Sequence, residues 1–263
     1  MLSRLTRPRA VAVAAVPVVA LLATAVLAPL PFSLAQPGMT ANVLGKNQGT
    51  PVITVSGAKT RQTSGQLRMT TIEATNPDTR VSLSDVLSAW FATDRAVMPR
   101  DSVYPSGQST KEIEQHNTAQ MKESQDAATQ AALKYLDLSA DNVKVTLKLA
   151  DVGGPSAGLL FTLGIIDKLD GDGSGGDLTG GRTIAGTGTI DGAGKVGAVG
   201  GVALKTQAAR RDGATVFLVP RDECTDAKSE LPKGLRLIPV TTLKGAVNSL
   251  VALETGKGSV PRC

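Results

Sequence analysis

The sequence contains few of the side chains on which metal centres, histidine-dependent catalysis and nucleic-acid binding rely. It has one histidine, His116, and two cysteines, Cys224 and Cys263, whereas a structural zinc site needs four such ligands. Any Ser-His-Asp triad would depend on His116 alone. Aromatic residues make up only 3% of the chain, and no block of basic residues occurs despite a net charge of +5. We therefore expect no nucleic-acid partner.

What the sequence does have is a long apolar run near its N-terminus. Arg4, Arg7 and Arg9 precede it, and the stretch 10–30 has no charged residue. At about 1.5 Å per residue this stretch spans roughly 30 Å, so we predict one transmembrane helix with the arginines in the cytoplasm. The alternative is a cleaved signal peptide, for which 33–35 (SLA) supplies a cleavage site. Under either interpretation the remaining chain lies outside the cytoplasm, on the cell membrane or secreted.

The exported location bears on the two cysteines. In an oxidising compartment Cys224 and Cys263 are candidates for a disulfide, since they form the one intramolecular pair in this sequence. The alternative is two free thiols.

Apolar periodicity predicts a mixed α/β protein. Ser109 with Glu112 forms a capping box that opens a long helix, and the strict alternation over 143–149 predicts a strand. Strands and helices alternate from there onward, which indicates one α/β domain. In 36–66, which is rich in Gly, Thr, Pro and Asn, only 52–55 is predicted to be a strand. The predicted segments are 1–35 (cytoplasmic stub and anchor or signal), 36–138 (extracytoplasmic, with the long helix), 139–256 (the α/β domain) and 257–263 (a tail).

The most informative stretch is 151–158 (DVGGPSAG), where a strand leads through a Gly-Gly-Pro turn to a serine at the start of a helix. Such a turn exposes the Ser156 hydroxyl to a substrate, and amides at a helix start can stabilise an oxyanion. The candidate donors are the amides of Gly154 to Ser156, except that Pro155 has no N–H. The alternative is that Ser156 is an ordinary helix N-cap.

A nucleophilic serine needs a base. His116 lies between polar residues of the long helix and is expected at the surface. A lysine can act instead if burial lowers its pKa, and Lys205 follows the apolar segment 200–204. Lys168 and Lys195 have polar or glycine neighbours and are expected to be solvated. The alternative for Lys205 is a surface lysine with a buried aliphatic stem.

These segments resemble, in order, the proteolytic domain of Lon proteases. The matching segments, which extend over 143–255, are 154–158 (GPSAG), 187–190 (TGTI), 194–196 (GKV), 200–205 (GGVALK), 208–209 (AA) and 216–220 (VFLVP). The resemblance implies the ribosomal protein S5 domain 2-like fold, with Ser156 as nucleophile, Lys205 as general base and Thr187 bound to the lysine. It also implies that copies of this chain can form a homo-oligomer.

The chain is more similar still to the membrane-anchored, extracytoplasmic Lon-like branch (YlbL type). Both have the anchor, and the similar segments are 37–45, 121–125, 177–181 and the surroundings of Cys224. Gly153 also favours this branch, since cytoplasmic Lon has an aspartate there. The branch usually carries a PDZ domain between the long helix and the nucleophile, but residues 138–143 leave no room for one.

Other chemistry has weaker support. None of the Gly-Lys pairs belongs to a Walker A motif, so no nucleotide or other cofactor is expected. The loop 170–181 begins like a calcium loop but has Gly181 where the twelfth ligand should be, so no metal is expected. The segment 56–59 (SGAK) is a formal S-x-x-K motif that does not open a helix.

The expected function is therefore an ATP-independent serine endopeptidase that cleaves flexible or unfolded polypeptides with a Ser-Lys dyad. The alternative is a non-catalytic envelope adaptor on the same fold, or a scaffold whose segment 36–138 binds partners.

Overall fold

The computed structural model describes residues 7–104, 109–149 and 153–263. Asp151 and Val152, which precede the predicted nucleophile turn, lie outside the described residues. The fold is of mixed α/β class, as the sequence predicts.

Two compact units make up the chain. The first unit consists of Met1–Gln36 and Ala74–Gly107, and the second of Pro37–Glu73 and Gln108–Cys263. Each unit is thus discontinuous in sequence, whereas the predicted segments were continuous. All candidate catalytic residues belong to the second unit.

The long helix after Ser109 begins at a local capping signal. Ser109 Oγ accepts a hydrogen bond from the N–H of Glu112, whose carboxylate accepts one from the N–H of Ser109, so the predicted capping box is confirmed. In the described part of the chain the helices are α1 (Arg7–Leu27), α2 (Leu83–Trp90), α3 (Arg100–Val103), α4 (Thr110–Tyr135), α5 (Gly158–Leu169), α6 (Val202–Arg211), α7 (Cys224–Ser229) and α8 (Leu243–Thr255).

Most described strands have five residues or fewer, and two are longer, with 11 and 9 residues. Over the same described residues they are β1 (Phe32–Asn42), β2 (Lys46–Asn47), β3 (Thr50–Pro51), β4 (Ile53–Ser56), β5 (Gln66–Ala74), β6 (Ala96–Pro99), β7 (Lys144–Leu147), β8 (Thr183–Gly186), β9 (Thr189–Ile190), β10 (Val196–Gly197), β11 (Val216–Pro220) and β12 (Arg236–Val240).

The first unit contains α1, α2, α3, β6 and the start of β1. The first residues of β1 pair antiparallel with β6, Phe32 opposite Pro99. The α1 helix packs against α2, and the valine and leucine side chains over 11–26 are exposed. Among the residues that the structure describes, none of the helices has both the length and the apolar character needed to cross a membrane. The structure thus does not support the predicted transmembrane helix.

The sheet of the second unit has the order β12-β11-β8-β5-β1. Its strands β5, β8, β11 and β12 are parallel, with Leu67 opposite Ile184 and Val216 opposite both Ile184 and Arg236. A separate antiparallel pair joins β4 to β7, with Ile53 opposite Leu147. The β8 and β9 strands follow each other closely and are separated by Thr187 and Gly188.

Helix α5 forms the centre of the core. Its residues from Gly158 to Asp167 are buried, and it packs against α4 and α8. A helix that is apolar on all sides is stable in water only inside a protein. This burial fixes the N-terminal end of α5, and with it the turn that contains Ser156.

The β1 strand was not predicted. Its sequence, FSLAQPGMTAN, has proline and glycine at its centre and few β-branched residues, which argue locally against a strand. The structure pairs it with β6 at one end and places it beside β5 in the sheet order of the second unit. Tertiary pairing therefore overrides the local preference of this segment.

Candidate active site

The predicted nucleophile, Ser156, lies in the turn before α5. The N-cap position of this helix is Ala157, and no side-chain hydrogen bond caps it. Ser156 is thus not the N-cap, and the capping interpretation is wrong. Gly154 has φ of 86°, in the left-handed region that favours glycine, so the turn depends on a residue without a Cβ.

Two hydrogen bonds to α4 hold the turn, one on each side of Pro155. The N–H of Gly154 donates to the carbonyl oxygen of Asn117 at 3.1 Å. Ser124 Oγ donates to the carbonyl oxygen of Pro155 at 2.9 Å. A Cβ placed on Gly153 would lie 2.8 Å from the Cβ of Asn117, so this close approach requires glycine.

These contacts correct the prediction of the oxyanion donors. The N–H of Gly154 is already bound to Asn117 and points to α4. Because Pro155 has no N–H, the N–H of Ser156 is the remaining candidate among the three predicted residues. Within the described ranges this N–H has no acceptor.

The predicted base, Lys205, lies in the second turn of α6. Its side chain is only 4% exposed. Burial lowers the pKa of Lys205 to about 8, and the carboxylates of Glu223 and Asp226 act in the opposite direction. A substantial fraction of its amine is therefore neutral in mildly alkaline solution, as a general base requires.

Thr187 connects the lysine with the nucleophile turn. Lys205 Nζ donates to Thr187 Oγ1 at 3.2 Å, and Thr187 Oγ1 donates to the carbonyl oxygen of Ser156 at 3.3 Å. The N–H of Gly188 donates to the same carbonyl at 2.9 Å. The three predicted residues are thus brought together through Thr187, which lies in the break between β8 and β9.

The start of α6 is capped by a side chain from another helix. Gly201 occupies the N-cap position and has no side chain, but Asp226 Oδ2 accepts the N–H groups of Val202 and Ala203 at 2.9 and 3.3 Å. A carboxylate at this position accepts hydrogen bonds from N–H groups that have no partner within the helix, and it interacts favourably with the helix dipole.

A disulfide lies next to this capping contact. It joins Cys224, the first residue of α7, to Cys263, with a Cα–Cα distance of 5.4 Å. The bond ties the C-terminal residue of the chain to the helix that carries Asp226.

The other basic candidates are poorly placed. His116 is exposed on α4, and Lys195 is exposed in the turn before β10. Lys168 is half-buried rather than solvated, and burial lowers its pKa. It lies near the end of α5 opposite to Ser156, roughly 15 Å away along a helix of this length.

A groove of about 810 Å³ lies beside the nucleophile turn. Gly153 belongs to its lining, which places the groove directly at the turn. The lining combines apolar side chains of α4 and of the chain around β7 with polar ones; its residues are Glu114, Asn117, Thr118, Met121, Lys122, Gln125, Leu147, Lys148, Leu149 and Gly153.

A metal site finds no support in the described part of the chain. No group of three or more His, Cys, Asp or Glu residues there could hold an ion. In the loop that imitates a calcium site, the carboxylate of Asp172 accepts hydrogen bonds from Ser174 and from the N–H of Gly176.

Comparison with known proteins identifies the family. The model of the Lon protease (S16) C-terminal proteolytic domain matches residues 116–252, just over half of the chain. The chain belongs to the Lon protease family. The family indicates a serine peptidase.

Individual Lon proteases match shorter segments. That of Chloroflexus aggregans is 38% identical over 93 residues, 34% of this chain and 10% of that protein. The Lon protease of Metamycoplasma arthritidis is 36% identical over 90 residues, 33% of this chain and 10% of that protein. Lon protease 1 of Myxococcus xanthus is 26% identical over 154 residues, which are 52% of this chain and 18% of that protein. The alignments thus cover less than a fifth of these relatives.

Three residues around the site were not predicted from the sequence. Asn117 contributes only its main-chain carbonyl, which no side-chain pattern indicates. Ser124 lies on the buried face of α4, where its hydroxyl among apolar residues was a usable signal. Asp226 caps a helix that begins 24 residues earlier, and only the missing side chain at Gly201 hinted at such a partner.

Proposed function

We propose that this chain is an ATP-independent serine endopeptidase in which Ser156 is the nucleophile and Lys205 the general base. The observation that carries the proposal is the buried amine of Lys205, bonded to Thr187 Oγ1, which in turn donates to the Ser156 carbonyl. A desolvated lysine beside a serine on a tight turn is suited to proton transfer near neutral pH.

In the proposed reaction neutral Lys205 takes the proton from Ser156 Oγ, and the oxygen attacks the carbonyl carbon of a peptide bond. The resulting oxyanion accepts the N–H of Ser156. As the tetrahedral intermediate collapses, the Lys205 ammonium gives its proton to the leaving amine, which leaves an acyl ester on Ser156. Lys205 then takes a proton from water, the hydroxide attacks the ester, and the proton returns to Ser156 Oγ as the acid departs.

Thr187 has a supporting role in this reaction. Its hydroxyl accepts a hydrogen bond from the amine and donates one to the main chain of the nucleophile. This arrangement restricts the rotamers of the long lysine side chain, which would otherwise have to be ordered in the transition state.

Substrates in this proposal are flexible or unfolded polypeptides that lie in the groove beside Gly153. The chain acts outside the cytoplasm, held to the membrane by its N-terminal apolar segment, as a YlbL-type Lon-like protease without a PDZ domain, and it can assemble with copies of itself. The disulfide between Cys224 and Cys263 agrees with an oxidising location.

The decisive experiment uses an unstructured fluorescent casein as substrate. Ser156→Ala and Lys205→Ala should each lower kcat by at least about 10³-fold while the far-UV spectrum is retained. Lys195→Ala and Ser139→Ala change exposed residues and should leave cleavage unchanged. A fluorophosphonate should label Ser156. Neither cleavage nor labelling by the wild-type chain would favour the non-catalytic adaptor.

A further inference from the structure

The hydroxyl of Ser124 is placed to act on the nucleophile turn from outside it. Ser124 is 5% exposed, on the face of α4 that packs against the turn. Its Oγ donates to the Pro155 carbonyl at 2.9 Å, shorter than the 3.4 Å contact from the N–H of Gly158. A Cβ on Gly158 would lie 3.0 Å from the same Oγ, so the hydroxyl is enclosed between α4 and the start of α5.

The planarity of the peptide bond extends the effect of this contact to Ser156. The carbonyl of Pro155 and the N–H of Ser156 belong to one peptide unit, and no cis peptide bond occurs in the described residues. In a trans unit the C=O and N–H point in opposite directions and cannot rotate separately. A donor that fixes the direction of the Pro155 carbonyl therefore also fixes the direction of the Ser156 N–H.

The second contact with α4 keeps the neighbouring peptide unit in place. The N–H of Gly154 is bound to Asn117, seven residues before Ser124 and thus about two helical turns away on the same face. Helix α4 holds the turn at two points, while Gly154 at its positive φ allows the chain to bend between them.

We propose that Ser124 is a positioning residue that directs the Ser156 N–H toward the oxyanion of the transition state. The inference rests on the proposed function and adds to it a residue outside the dyad. Because the oxyanion forms only during reaction, the contribution of Ser124 should appear in kcat rather than in KM.

The test is steady-state cleavage of fluorescent casein by the full chain and two variants. Ser124→Ala should lower kcat by about 10- to 100-fold and change KM by less than about twofold. The loss is smaller than for deletion of an oxyanion donor, because a misdirected N–H still stabilises the oxyanion in part. Ser124→Cys keeps a weaker donor and should give an intermediate kcat. The pH midpoint of kcat/KM should be unchanged, because the surroundings of Lys205 are intact.

The matched control is Thr129→Ala, which removes a hydroxyl of α4 that donates to the carbonyl of Gln125 in its own helix. Its kcat should equal that of the wild type. The inference is overturned if Ser124→Ala and Ser124→Cys both stay within twofold of this control, or if they raise KM with kcat unchanged. Should the alanine variant not fold, the cysteine variant decides. An inactive wild-type chain that no fluorophosphonate labels would instead remove the proposed function itself.

Discussion

The amine of Lys205 is subject to two opposing effects. Burial disfavours the ammonium form and lowers its pKa to about 8, while the negative charges of Glu223 and Asp226 favour the ammonium. Asp226 thus has two effects: it caps α6, and with Glu223 it raises the pKa of Lys205, the proposed base.

This balance predicts the pH dependence of cleavage. Because the neutral amine is the active form, kcat/KM should rise with pH through a midpoint near 8. Asp226→Asn removes a negative charge, so the pKa of Lys205 should fall and the midpoint should move to lower pH by roughly half a unit. Glu230→Gln removes an exposed charge from the end of α7 and should leave the midpoint in place. A shift to higher pH in Asp226→Asn would contradict the assignment of Lys205.

Asp167 is a buried carboxyl that the proposed reaction does not use. It is 0% exposed, its Oδ1 accepts the N–H of Leu178 at 2.8 Å, and its Oδ2 has no partner among the described residues. Burial raises the pKa of Asp167 to about 6, with Asp177 acting in the same direction, whereas the Leu178 N–H and Arg61 act against it.

Asp167 should therefore reduce stability above pH 6. Between about pH 4 and 6 the folded state holds a proton that the unfolded state has lost, so the free energy of unfolding decreases as pH rises through this window. The decrease should be on the order of 3 kcal/mol from this group and should level off above it. Asp167→Asn should remove this decrease between urea titrations at pH 4 and pH 8, while Asp141→Asn, at an exposed site, should retain it. If the free energy of unfolding of Asp167→Asn still decreased by the same amount, the decrease would have to come from other groups.

At the scale of the elements, α6 depends on α7 for its cap, and α7 is tied to the chain end by the disulfide. The six residues of α7 are too few to form a stable helix alone, so its position depends on packing and on this covalent bond. The elements that position Lys205 therefore include one that a reductant can loosen.

Removal of the disulfide should destabilise the protein. The bond spans a sequence separation of 39, for which loop-closure entropy predicts a loss of about 3–4 kcal/mol. Cys224→Ala combined with Cys263→Ala should show this loss in urea unfolding. Adding a reductant should lower the stability of the wild type and leave the double variant unchanged. Equal sensitivity of both proteins to the reductant would indicate that it acts elsewhere.

Predictability from sequence also differed between elements. The capping box at Ser109 predicts the start of α4, and the alternation over 143–149 predicts β7; the structure has both elements where the sequence places them. Ser156, Thr187 and Lys205 could be proposed from sequence because each lies in a short contiguous motif, and the structure links them through hydrogen bonds. The β1 strand, the cap by Asp226 and the contact of Ser124 with Pro155 depend on partners distant in sequence, so no local pattern reveals them.

At the scale of the whole molecule, the exposed side chains of α1 bear on the proposed location. Many of its apolar side chains are exposed; the most exposed are Val11, Val16, Val19, Leu21 and Leu22. A helix that is apolar all round and exposed to water is unfavourable, and a lipid or protein environment would remove that cost.

The proposed anchor predicts that the full chain, expressed in a bacterial host, stays in the membrane pellet after an alkaline carbonate wash. Leu21→Lys with Leu22→Lys should release it, since each charge at the centre of a membrane helix costs about 3 kcal/mol. Lys134→Glu with Lys228→Glu, on exposed sites of the second unit, should not. Release of the wild-type chain by carbonate would exclude the anchor.

The order of the residues around the site has a consequence for biosynthesis. The residues of the proposed site are, in chain order, Asn117, Ser124, Ser156, Thr187, Lys205 and Asp226. The β5 strand pairs with β8, and β12 completes the sheet; both come later in the sequence. A nascent chain would contain Ser156 well before Lys205, the base proposed for it. If Ser156 and Lys205 act as proposed, the site would therefore be assembled only after most of the chain has been synthesised.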